Sequence, residues 1–219
     1  MTVATDRKNK NMRNIMGLSG LRLVVASFGI LCGLTGIIAG IFEVLQGNNP
    51  TGGFVISTIG PEYTMYNDFT YYAVTIVPNF ILSGVLAITI SSLVMFWSIR
   101  YIHRRHGALI LLMLSVAQML VGGGWVIDLG FMASILATMI GKPLDWWSRN
   151  LPDRIITMLV RLFPLSIIVY GLISLGMLVI SIIGVNSEAL LNLLEPLAAA
   201  VFFPMIIMIL GGIAIDVKK

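Results

Sequence analysis

Four apolar blocks, each long enough to cross a bilayer, constrain this chain more than anything else in it. They run through residues 23–45, 75–99, 162–184 and 197–215. A hydrocarbon layer about 30 Å thick needs about 20 apolar residues at a helical rise of about 1.5 Å each. In lipid only a helix satisfies its backbone groups within one such segment. A membrane barrel would need short alternating strands, and no such pattern is seen. The expected fold class is therefore an all-α integral membrane protein forming one polytopic domain over 1–219. With 58% hydrophobic and 11% charged residues and a mean hydropathy of +0.96, the composition agrees, since soluble domains carry about 25% charged residues.

A fifth apolar stretch, 107–141, is too long for one crossing: its roughly 35 residues would make a helix of about 52 Å. It contains "VGGGWVIDLG" at 121–130. Split at those glycines, it gives two short pieces of about 24 Å each, which suit a locally thinned bilayer.

Charge chooses between the two readings. The basic residues cluster in 1–22, in "RYIHRRHG" at 100–107, in 142–161 and at Lys218 and Lys219, while 46–74 and 185–196 hold none. A single crossing at 107–141 would put 142–161 outside, against the positive-inside tendency. A turn at Gly122–Gly124 puts every basic cluster inside. The expectation is six membrane segments including a glycine-turned hairpin, with both termini cytoplasmic. The alternative is five spans. Residues 1–22 form a cytoplasmic basic tail leading into an uncleaved signal anchor, and 46–74 an external loop. The stretch 142–161, with Trp146 and Trp147, is a cytoplasmic interfacial segment. Trp125 and the tyrosines of "YTMYNDFTYY" belong to an aromatic belt.

The net charge of +4 serves orientation and contact with anionic headgroups, and no nucleic-acid partner is expected. Cys32, the single cysteine, excludes an intramolecular disulfide and a cysteine metal cluster. His103 and His106 lie among arginines that would repel a cation, so no metal or cofactor is expected. Neither a zinc helix, a nucleophile elbow nor a phosphate-cradling loop occurs, so no catalytic residue is assigned. Without an internal repeat, an inverted-repeat transporter is unsupported.

Two patterns remain. Gly29, Gly33, Gly36 and Gly40 fall on one helix face, the small-xxx-small arrangement that lets membrane helices pack closely. Glu43 continues that face. With Asn79, Gln118 and Asp128 it makes four polar groups in the outer half of the predicted bundle, and polar groups at membrane depth are candidate functional residues. The four are a candidate polar pocket, with at least two of Glu43, Asn79 and Asp128 expected to point into the bundle. The alternative is that Glu43 reaches water at the outer surface and merely ends its span. The elements "EVLQGN", "IVPNF" and "VGGG" followed by "GKPL" resemble those of small prokaryotic membrane proteins, which implies the plasma membrane of a prokaryote.

The leading functional expectation is a non-enzymatic accessory, assembly or lipid-interacting component. The alternative is a small-solute or ion carrier built on Glu43 and Asp128. The lipid bilayer is the first partner. Six short segments enclose little volume, which leaves room for a carrier acting as a homo-oligomer. A homo-oligomer or a membrane-protein partner is the further partner expectation.

Overall fold

A computed structural model describes residues 19–58, 72–124, 127–183 and 196–218. The described chain forms helix α1 (Gly20–Leu45), strands β1 (Val55–Ser57) and β2 (Tyr72–Val74), and helices α2 (Phe80–Arg100), α3 (Gly107–Leu120), α4 (Ile127–Ala137), α5 (Asp145–Asn150), α6 (Asp153–Ile183) and α7 (Phe202–Val217). Four helices are long and apolar enough to span a bilayer: α1, α2, α6, and α7 with the turn that precedes it from Pro196. The shorter α3 and α4 are apolar too.

Helix α1 is the hub, touching α2, α4, α6 and α7. Its Leu21, Val24, Phe28 and Cys32 are fully buried, in one core with Leu111 of α3, Ala133 of α4, Phe163 of α6 and Met208 of α7. Over its membrane-length window α1 is 56% buried, against 17% for α6. Helix α6 is thus peripheral and presents Leu165, Ile168, Leu172 and Val179 outward.

Helices α1 and α2 run antiparallel at the spacing only glycine allows. A Cβ on Gly40 would lie 2.7 Å from the Gly84 carbonyl oxygen, and one on Gly33 2.8 Å from the Ser91 carbonyl oxygen. One on Gly29 would collide with Ser98, and one on Gly36 with Ser91 and Gln118. The glycine stripe therefore faces α2 along most of its length. The facing positions, Gly84, Ala87, Ser91, Val94 and Ser98, are all buried and recur every three or four residues. Small residues on both partners suit membrane association, where close van der Waals contact replaces the hydrophobic drive.

Helices α3 and α4 also lie antiparallel. Gly130 packs on Ser115, and Leu109 and Leu112 share a groove with Ser134 and Thr138. Between them Gly122 (φ +91°) and Gly124 (φ +82°) take left-handed backbone, which glycine adopts without steric penalty. Trp125 lies outside the described residues.

The basic residues gather at one end. Arg22 at the start of α1 bonds His103 through its guanidinium at 3.0 Å, and Lys142 shares a groove with His103, Arg104 and Arg105. Lys218 donates to the Thr157 hydroxyl at 3.0 Å. That end is tied by Asp216, whose carboxylate accepts from the Gly20 and Leu21 amides at 2.9 and 3.1 Å and from the Ser19 hydroxyl at 2.7 Å. A carboxylate in the last turn of α7 opposes its own helix dipole, but here it sits on the positive end of α1 and satisfies two orphan amides.

Two boundaries differ from the sequence expectation. Residues 142–161 are divided between two helices: α5 ends at Asn150, and Arg154 and Arg161 already belong to α6. Arginine lowers hydropathy without weakening a helix, so an apolar block understates the helix that contains it. The loop 46–74 carries an antiparallel ribbon pairing Val55 with Val74 and Ser57 with Tyr72. Strands of three residues are too short to show a period of two, so the ribbon left no readable alternation.

Candidate functional site: a sealed carboxylate at the basic-free end

At the end of the bundle away from the arginines, the described parts of the 46–79 connection, 46–58 and 72–79, lie over the helices as a cap. The Gln46 side-chain amide at the end of α1 donates to the carbonyls of Ser57 and Thr58 at 3.0 and 2.7 Å, holding the ribbon down. Asn79 caps α2 by accepting from the Leu82 amide at 3.2 Å, and donates to Asn48 at 2.6 Å. The chain after β2 then crosses the α3–α4 turn, with the Ile76 amide bonded to the Leu120 carbonyl and the Gly122 amide to that of Val74, each at 2.9 Å.

Beneath this cap Glu43 is wholly buried, and neither carboxyl oxygen has a hydrogen-bond partner among the described residues. Gly122 lies directly against it: a Cβ there would run into both carboxyl oxygens. The adjacent hydroxyls have other partners. Ser83 stands close to Glu43, but its Oγ is 3.0 Å from the Val121 carbonyl and 2.8 Å from the Thr75 hydroxyl. The Thr75 oxygen also accepts from the Val77 amide at 3.1 Å. The Ser83–Thr75 pair supplies two hydroxyl protons, divided among the Val121 carbonyl, the contact between the two hydroxyls and the Glu43 carboxyl that Ser83 also approaches.

Gln118 is buried a turn deeper. It donates to the Cys32 carbonyl at 2.9 Å, and its oxygen lies 3.5 Å from the Cys32 thiol. A Cβ on Gly123 would strike its side chain. Consecutive glycines therefore press on the two polar groups: Gly122 on Glu43 and Gly123 on Gln118. The Ser91 hydroxyl, next to Gly36 and Gln118, is buried and also lacks a partner among the described residues.

The four polar groups expected to share a pocket are placed differently from one another. Glu43 and Gln118 meet opposite sides of the glycine turn. Asn79 is spent on capping α2 and anchoring the cap. Asp128 is exposed, its carboxylate accepting from the Leu129 amide at 2.9 Å, and it lies within electrostatic reach of Cys32 and Tyr170. Thr75, Ser83 and Ser91 complete the interior polar cluster in its place. Among the described residues no group of three histidine, cysteine or acidic side chains is placed to hold a metal ion. In comparisons with protein-family models, curated proteins and solved structures, nothing matches the chain. The described architecture, mostly helical with four helices long and apolar enough to cross a bilayer, is compatible with an all-α membrane protein.

Proposed function

We propose that this is a six-segment protein of a prokaryotic plasma membrane, with both termini in the cytoplasm, acting as a non-enzymatic accessory or assembly component that works through lipid at its basic end. The observation that supports this reading is the gathering of Arg22, Arg104, Lys142 and Lys218 at one end of the bundle, with Glu43 and its cap at the other. Cytoplasmic connections carry the excess of basic residues. Helices α3 and α4, of 14 and 11 residues, are short for full crossings and suit a locally thinned bilayer. The outward apolar face of α6 fits lipid, a second copy or a membrane partner.

Cysteine labelling tests the orientation. In a Cys32→Ser background, an impermeant thiol reagent added to intact cells should label Thr51→Cys and leave Ser148→Cys protected. External labelling of Ser148→Cys would overturn the hairpin topology and restore five spans.

A carrier is the second reading, and the unpartnered Glu43 carboxylate favours it. Burying a charged group without hydrogen bonds is strongly unfavourable, so whatever satisfies this one comes from beyond the described side chains: a proton, a cation or a solute. Asp128, exposed in the described chain, is the second carboxylate of this reading. Solute-dependent flux in proteoliposomes that disappears with Glu43→Gln is the expected result under this reading. Absence of flux, together with co-purification of a stable partner, supports the accessory role.

A further inference from the structure

The feature left unused by the sealed carboxylate lies at the opposite end. Between α3 and α4 runs a groove of about 530 Å³, within the size range of ordinary ligand sites, about 300–1,000 Å³. Its two ends differ in chemistry. The mouth carries Arg104, Arg105 and Lys142, and among the described residues no acidic side chain lines it. The body is walled by Leu109, Leu112 and Ile135, of which Leu109 and Ile135 are exposed on the flank of the bundle. Among the described residues these cations have no acidic partner: Arg104 lies over the Tyr101 ring at 4.6 Å, and neither Arg105 nor Lys142 pairs with a carboxylate. The hairpin itself builds this arrangement, because it returns the chain to the level of the 101–106 connection and sets Lys142 beside it.

We propose that this groove binds one anionic phospholipid, its phosphate held by Arg104, Arg105 and Lys142 and one acyl chain lying along Leu109, Leu112 and Ile135. The proposal deepens the lipid-interacting reading and rests on it for the basic end meeting headgroups. A free phosphate would satisfy the mouth alone. The apolar wall, open to the side where hydrocarbon lies, is what selects a lipid. Basic pockets between membrane helices at the headgroup level recognise anionic lipids by charge, while neutral lipids gain only the chain contact.

Native mass spectrometry of the detergent-solubilised protein, titrated with phosphatidylglycerol or phosphatidylcholine, tests this. Phosphatidylglycerol should bind at one saturable site, and more tightly than phosphatidylcholine. Joint Arg104→Gln, Arg105→Gln and Lys142→Gln replacement should weaken it by about tenfold or more. Thr138→Trp, which fills the groove and changes no charge, should weaken it comparably. Arg149→Gln with Arg154→Gln, which removes as much charge from the same end as two of the groove residues carry, should leave it within about twofold. Glycerol phosphate, a headgroup without chains, should show no saturable binding. Equal loss in the Arg149/Arg154 variant, full binding by Thr138→Trp, or saturable binding of glycerol phosphate would each overturn the site. External labelling of both Thr51→Cys and Ser148→Cys would remove the hairpin and the groove with it. Labelling of Ser148→Cys with Thr51→Cys protected would overturn the orientation alone, since the groove meets a leaflet whichever way the protein is inserted.

Discussion

Replacing Gly122 with alanine is expected to destabilise the protein by roughly 2–6 kcal/mol, read as a lower midpoint of unfolding in detergent. Two independent effects contribute. The residue holds φ at +91°, and forcing a side chain into such backbone costs about 1–3 kcal/mol. The new methyl would also enter the space of the Glu43 carboxyl oxygens, and overpacking of this kind costs about 1–3 kcal/mol. Glu43 cannot simply swing aside, because it is fully buried between α1, α2 and the cap. The double variant Gly122→Ala with Glu43→Ala separates the two effects. It removes the collision and keeps the backbone strain, so the added methyl should cost less there than in the parent. An equal loss in both backgrounds would show that the turn conformation alone accounts for the effect.

The second large effect is expected at Gly40. Its prospective Cβ lies 2.7 Å from the Gly84 carbonyl oxygen and 3.0 Å from the Ile88 amide nitrogen. Both are backbone atoms of α2, which no rotamer change can move. Gly40→Leu must therefore push two helices apart along a seam of small residues, with an expected loss of about 3 kcal/mol. The neighbouring Ile41 is 45% exposed, and Ile41→Leu should stay within about 0.5 kcal/mol of the parent. Thermal or denaturant unfolding of the two variants in the same detergent makes the comparison. Matching stabilities would mean that the α1–α2 contact yields without strain.

The four long helices could be read directly from the sequence, because hydrocarbon thickness dictates block length and backbone satisfaction dictates helix. The stripe Gly29–Gly33–Gly36–Gly40 was visible for a related reason: a one-sided row of glycines in a span has few uses besides close packing. Its partner on α2 went unread, although Gly84, Ala87, Ser91 and Ser98 repeat on one face. Serine and alanine are unremarkable in a span until the opposing helix is known. The candidate site was legible only in part. Glu43 stands out in any apolar block, and Gln118 nearly so. Thr75 and Ser83 do not, because a hydroxyl acquires its role from what folds against it, here a ribbon and a glycine turn distant in sequence. The direction of Asp128, exposed in the described chain, was illegible for the converse reason. A charge near a turn is read as interior when only its depth is known, whereas its direction is set by the helix phase after Gly124.

The bond from Ser19 to Asp216 joins residues 197 positions apart, and it has a consequence for how the protein is made. Helix α1 leaves the ribosome first, and its leading amides find their permanent acceptor only once α7 has been synthesised. Until then those amides depend on water or lipid headgroups. Domains assembled during synthesis generally proceed from the N-terminal side, but here the hub helix cannot be locked until the far end of the chain arrives. Closing this loop carries an entropic cost that grows only slowly with its length, but it can come only after every helix between α1 and α7 has been made. A chain stalled before residue 216 would hold every helix that α1 needs except the one that fastens it.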